Sequence, residues 1–166
     1  GRYHGAVMAK SSEQPARGPR IANRKARHDY DIVEVVECGL ELVGTEVKSL
    51  RAGQAKIDEA YARVRGGEVF LVGATISPYP QAAEAMQHDP TRDRRLLLHR
   101  RQIAQLESHV KQKGKTLVPL AVYFKNGWAK CEIGVAVGKK QHDKRQDLRT
   151  RDHQREIARE MRRRNR

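Results

Sequence analysis

Between Tyr30 and Val137 short runs of alternating apolar and polar residues follow one another, and a helical period interrupts them in two places. From Tyr30 to Glu37 the β-branched residues Ile32, Val33, Val35 and Val36 predict a strand. Cys38-Gly39 then predicts a turn, with Leu40 to Val43 returning as a second strand. The first helical stretch is Gly44 to Gly53, with Thr45 as its N-cap, Glu46 in the first turn and Gly53 just past its end. Val47 and Leu50, three apart, suit the plugging of a sheet end, while Lys48 and Arg51, also three apart, share another face. That face meets either phosphate or water.

Alternation resumes from Ile57 to Val64, and Gly66-Gly67 is a two-residue hairpin signal before Val69 to Val72. Gly73 with Ala74-Thr75-Ile76 predicts a bulge or a continued strand. Pro78, Pro80 and Pro90 mark a long surface loop from Ser77 to about Asp93. The second helical stretch is Asp93 to Val110, with Leu96, Ile103, Leu106 and Val110 on one face. Leu97 and Leu98 fall off that stripe beside His99, Arg100 and Arg101, so they meet either RNA or a second packed surface. Asn126-Gly127 between Leu117–Phe124 and Trp128–Val137 is the type I′ hairpin pair. Pro119 must sit at an edge or a bulge, because it has no N–H for the ladder.

Together these elements predict a mainly β fold, a small antiparallel OB-like barrel with a short capping helix, one longer helix and a basic C-terminal tail. The expected organisation is a disordered segment over 1–20, an RNA-binding barrel over 21–137 and a tail over 138–166. The tail carries twelve Lys and Arg against five acids, and Leu148, Ile157 and Met161 are its only large apolar side chains. Such a segment folds only on a partner that supplies the missing contacts.

Charge sharpens the choice of partner. The net charge of +14 on 166 residues favours a polyanion, whose condensed counterions are released as Lys and Arg neutralise phosphates. No apolar run approaches the roughly 20 residues of a spanning helix, which disfavours a membrane. The absence of a signal-peptide core predicts a cytoplasmic protein. Cys38 and Cys131 lie in strand-like runs without metal-ligand spacing and predict small buried hydrophobes. No phosphate-binding loop, ligand cluster or nucleophile set is visible, so no cofactor, metal, small-molecule substrate or catalytic residue is expected. The basic arm Asn23, Arg24, Lys25, Arg27 is a further candidate RNA contact beside Lys48, Arg51 and Arg100.

The segments NRKARHDYDI, GTEVKSLRAGQA, LLLHRR, YFKNGWAK and GKKQHDKR resemble, in order, those of the SsrA-binding protein (SmpB) family. The resemblance runs from about Asn23 to Arg145, with a similar basic tail beyond. It implies an OB-type barrel that is not an enzyme. It also implies binding to the tRNA-like domain of transfer-messenger RNA and rescue of stalled ribosomes by trans-translation. Glu37 falls at the glutamate that contacts or positions the RNA, and Leu97 and His99 at the middle and last residues of the LLLN/LLLH motif. The motif Gly138, Lys139, Lys140, His142, Asp143, Lys144, Arg145 would sit at the decoding centre. Arg149, Arg151, Arg155 and Arg159 would follow on a helix in the empty mRNA channel. Where relatives carry an apolar pair, this chain has Glu160-Met161. On composition alone, a general OB-fold RNA chaperone or ribosome-associated structural protein is the alternative.

Overall fold

The computed structural model describes residues 18–139 and 154–164. Its frame is the hairpin of β8 (Lys115–Lys125) and β9 (Trp128–Gly138), strands being numbered in chain order. They turn through Asn126 and Gly127, whose φ angles of 52° and 80° are those of a type I′ turn. The register slips once, between Pro119 and Ala121, where proline cannot donate to the ladder. On the far side of β9 lies β2 (Tyr30–Leu40), antiparallel from Tyr30↔Gly138 to Gly39↔Lys130.

The remaining strands close the ring. β4 (Tyr61–Arg65) and β5 (Glu68–Val72) are joined by Gly66-Gly67, both at positive φ, and β7 (Arg94–Leu97) pairs with β5 and with the end of β2. The order β8-β4-β5-β7-β2-β9 returns to β8, so these six strands form an OB-like antiparallel barrel. β1 (Ile21–Ala22) is added on β8, while β3 (Ala55–Lys56) and β6 (Thr75–Ile76) make a separate two-stranded sheet. Residues such as Leu71, Leu96, Leu117, Ile133 and Val135, all nearly inaccessible, fill the main core. A second cluster of Ala26, Val118, Leu120 and Ala136 holds α1 (Arg24–Asp29) in place.

α2 (Gly44–Arg51) is anchored by charge as well as by Leu50. Glu46, fully buried, accepts the Val43 N–H at 2.9 Å and pairs with Arg94 Nε at 2.6 Å and Arg92 Nη2 at 2.5 Å. Arg94, also fully buried, donates onward to the carbonyls of Ala74 and Pro90 at 3.0 Å each. The loop from Ser77 to Asp93 is thereby clamped to the barrel, with His88 Nε2 2.9 Å from the Ile76 carbonyl.

Several sequence expectations are corrected. Cys38-Gly39 is not a turn: β2 runs straight through it, because Cys38 and Gly39 pair with Cys131 and Lys130 on β9. The strand expected from Ile57 begins only at Tyr61, the Ala60 N–H closing a turn on the Ile57 carbonyl. Thr45 does not cap α2. Val43 holds that position, and Thr45 Oγ1 lies 2.7 Å from His88 Nδ1. The helix expected over Asp93 to Val110 is a strand followed by a shorter helix, α3 (Arg100–Val110). Arg94 and Leu96 both point inward at period two, and pairing with β5 and β2 overrides the helical spacing. Nine strands are present among the described residues, six of them in the ring. The basic arm is the helix α1. Of the N-terminal segment, 1–17 lies outside the described residues.

Residues 154–164 are helical and exposed at every position, Ile157 and Met161 included at 42% and 62%. Among the described residues no helix is long and apolar enough to cross a membrane.

Candidate nucleic-acid interface

The end of β2 meets the β7–α3 junction on one side and β9 on the other, through the pairs Gly39↔Leu97 and Gly39↔Lys130. A shallow groove of about 330 Å³ opens there, lined by Glu37, Gly39, Leu97, Leu98, His99, Gln102 and Lys130. The three residues singled out by family resemblance, Glu37, Leu97 and His99, come from two segments distant in sequence, and the fold puts all three on this groove. His99 is the exposed N-cap residue of α3, and its N–H donates to Gln102 Oε1 at 3.0 Å. Leu97 is half-buried, and Leu98 packs against the main core. His99 therefore does not belong to the core stripe, because the helix starts only after it.

Glu37 is held from β8. The Tyr123 hydroxyl donates to its Oε2, and Lys125 Nζ lies 3.4 Å from its Oε1. The hydrogen bond from Tyr123 holds the Glu37 carboxyl below the usual carboxylate range against the opposing pull of desolvation, with Lys125 and Lys130 adding to the lowering. The groove thus offers an ionised acceptor, an ammonium, an imidazole and an apolar wall, the groups that read base edges and sugar hydroxyls.

The other sequence candidates spread around the barrel. Lys48 is exposed with its Nζ 5.3 Å from the Tyr79 ring centre, and the Arg51 guanidinium lies 5.6 Å from that of Phe124. Arg100 is exposed in the first turn of α3. On α1, Arg24 and Arg27 are exposed, and Lys25 pairs with Glu59 at 2.6 Å. Asn23 is misassigned to that basic surface. It is 1% exposed, accepts the Ala26 N–H as the N-cap of α1, and donates to the carbonyls of Ile57 and Pro119. With both amide hydrogens and its oxygen engaged inside the protein, it is a structural residue.

Gly138 ends β9 against Tyr30, and Lys139 follows with its N–H on the Asp29 carbonyl at 3.1 Å. Lys140, His142, Asp143, Lys144, Arg145, Arg149 and Arg151 lie outside the described residues. Arg155 and Arg159, four apart, are exposed on the helix at 154–164. Sequence reasoning missed Tyr123, Lys125, Lys130 and Gln102, all at or beside the groove. The one signal for the first three was alternation in YFKNGWAK, which places Tyr123 and Lys125 on the face opposite Phe124.

Cys38 and Cys131 are opposite each other across β2 and β9, both buried. Burial pushes the Cys38 thiol up to about 12 and the Cys131 thiol well above its ordinary value.

A closed OB-like barrel with a polar groove on one rim and a cationic helical extension defines the class: a small, basic β-barrel of the kind built to bind RNA. The model of the family "SmpB protein" matches residues 20–163, and the chain belongs to that family. The chain is 52% identical over 141 residues to an SsrA-binding protein of Microcystis aeruginosa, covering 85% of this chain and 92% of the relative. It is 55% identical over 139 residues to an SsrA-binding protein of Acetivibrio thermocellus, covering 84% and 90%. A solved structure described as "tmRNA-SmpB: a journey to the center of the bacterial ribosome" matches with a TM-score of 0.64 at 48% identity. That match covers 75% of this chain and 87% of the solved one.

Proposed function

We propose that this protein binds the tRNA-like domain of transfer-messenger RNA through its barrel and delivers that RNA to stalled ribosomes for trans-translation. It works in the cytoplasm as a carrier and does not transform its RNA. The observation that supports this best is the convergence of Glu37, Leu97 and His99 on one groove of a barrel whose family is SmpB. A carboxylate on a strongly cationic protein is out of place against phosphate, yet fits a site that accepts hydrogen bonds from base and sugar donors.

The tail has the second task. The helix at 154–164 presents Arg155, Arg159 and its few apolar side chains to solvent along its whole length. Ordering such a segment costs conformational entropy that no core contact returns, so its proper setting is a surface of rRNA phosphates left bare by missing mRNA. The decoding-centre roles of Gly138 to Arg145 and of Arg149 and Arg151 belong to the same proposal.

The test is a gel-shift series with the full chain and a chain ending at Gly138. Both bind the tRNA-like domain of transfer-messenger RNA with similar affinity and prefer it to unrelated structured RNAs. Only the full chain supports tagging of stalled products. Equal binding to any structured RNA would replace this function with that of a general chaperone. Loss of RNA affinity on truncation would overturn the division of labour.

A further inference from the structure

Glu37 belongs to the groove, but nothing on its own strand fixes its side chain. Its neighbours on β2 are Val35, exposed, and Gly39, and its partner across the ladder is another acid, Glu132. A glutamate left to itself there samples several rotamers and is repelled by its partner. We propose that Tyr123 is a positioning residue for Glu37, its phenol holding the carboxylate in the single orientation that the groove presents to RNA. This rests on the reading that the groove meets RNA.

The geometry is a closed circuit. The Tyr123 hydroxyl donates to Glu37 Oε2 across a sequence separation of 86 residues, so the contact exists only in the folded barrel. The Arg20 guanidinium lies over the Tyr123 ring, 4.8 Å from its centre, and Arg20 Nη2 pairs with Glu132 Oε2 at 3.1 Å. Arg20 thereby relieves the Glu132–Glu37 repulsion and pins the ring that holds Glu37. Tyr123 also faces Lys130 across the β8–β9 ladder, and Lys130 lines the groove. A carboxylate has two oxygens with about four acceptor sites. The phenol takes one on Oε2 and Lys125 approaches Oε1, leaving outward acceptor capacity on each.

The titratable and charged groups around Glu37 are Tyr123 and Lys125 on β8, Lys130 and Glu132 on β9, Arg20 before β1, and His99 across the groove. Removing the hydroxyl alone leaves all the others in place. Tyr123→Phe is therefore a clean probe, since the ring still fills its site under Arg20. The lost hydrogen bond raises the Glu37 midpoint. If RNA needs the ionised acceptor, binding falls as pH drops through that midpoint, and in the variant the fall begins at higher pH.

The experiment compares full chains carrying Tyr123→Phe, Glu37→Gln and both, binding the tRNA-like domain of transfer-messenger RNA. Tyr123→Phe weakens binding roughly three- to ten-fold, the size of an ordinary net hydrogen bond at an exposed position. On the Glu37→Gln background the same change costs nothing more, because Tyr123 acts through Glu37. Independent, additive losses overturn the proposal. Carboxyl carbon titration by NMR, on the RNA-free chain, reads Glu37 directly, and its midpoint moves up in Tyr123→Phe. An unmoved midpoint likewise overturns it. If Glu37→Gln leaves affinity intact while the midpoint still moves, the hold of Tyr123 on Glu37 is real. In that case the reading of the groove as an RNA site fails, and the RNA role of Tyr123 fails with it.

Discussion

Helix α3 and the helix at 154–164 have the same length, yet they stand in opposite relations to the barrel. α3 puts Leu106 at 0% exposure into the main core, flanked by the half-buried Ile103 and Val110. The helix at 154–164 has Ile157 and Met161 at the same four-residue spacing and buries neither. An isolated helix of this length is marginal in water whatever its propensity, because nucleation is costly and few hydrogen bonds follow it. α3 is helical because the barrel gives its apolar face a home. The helix at 154–164 is exposed at every position and has no such contact among the described residues.

The same division separates two glutamates. Glu46 is buried among Arg94, Arg92 and the Val43 N–H, and all its neighbours serve to hold the loop and α2 to the barrel. Glu37 is also held by one phenol and one lysine but faces outward. Glu46→Gln leaves the guanidinium of Arg94 at 0% exposure without its counter-charge, and this is the largest effect expected in the molecule, about 3–5 kcal/mol of lost stability in urea unfolding. Acid acts on the same pair. Burial pushes the Glu46 carboxyl up, but Arg92, the Val43 N–H and Arg94 together pull it below its ordinary value of 4.5. A lowered folded-state midpoint means that the stabilisation is present above about pH 4.5 and is lost as pH falls through the folded value. The urea midpoint of the wild-type chain therefore falls in that acid range, and that of Glu46→Gln falls less. Equal acid sensitivity in both would show that the buried pair is not what holds the loop.

Leu106→Ala comes next, at about 3 kcal/mol, since it removes a fully buried side chain from the seam between α3 and the barrel. A loss below about 1 kcal/mol would place α3 with the tail and erase the contrast between the two helices. RNA affinity should follow stability here, because His99 caps α3 and Gln102 in its first turn lines the groove.

The barrel was legible where local chemistry and tertiary structure agree. Asn126-Gly127, Gly66-Gly67, the bulge at Pro119 and the glycine after α2 were each readable from a backbone requirement that few residues meet. It was misread where long-range pairing decides. Cys38-Gly39 has the composition of a turn, but β9 and β7 bind it on both sides and keep it extended. Leu96 fits a helical stripe with Ile103 and Leu106 by spacing alone, and pairing with β5 and β2 makes it a strand residue. Asn23 looked like part of a basic arm because the three carbonyl and amide groups it satisfies lie at Ala26, Ile57 and Pro119, the latter two far away in sequence. The groove was half legible. Glu37, Leu97 and His99 came from family motifs, whereas Tyr123 could be found only once β8 was seen to lie within reach of β2.

The smallest effect on stability, and the sharpest test of the contrast, is the pair Ile157→Ala and Met161→Ala. Both side chains are exposed, so removing them leaves no cavity and the barrel keeps its unfolding free energy within about 0.5 kcal/mol. The matching change in α3 costs several times more. Alanine also has the higher helix propensity, so any isolated helicity of the tail is kept or raised. Tagging of stalled products is where a loss should be read: if these two side chains are the tail's apolar contacts on its partner, the double variant tags more slowly at unchanged affinity for transfer-messenger RNA. Full tagging by the double variant would assign the tail's work to its arginines only, and a fall in barrel stability would mean that the helix at 154–164 rests on the barrel after all.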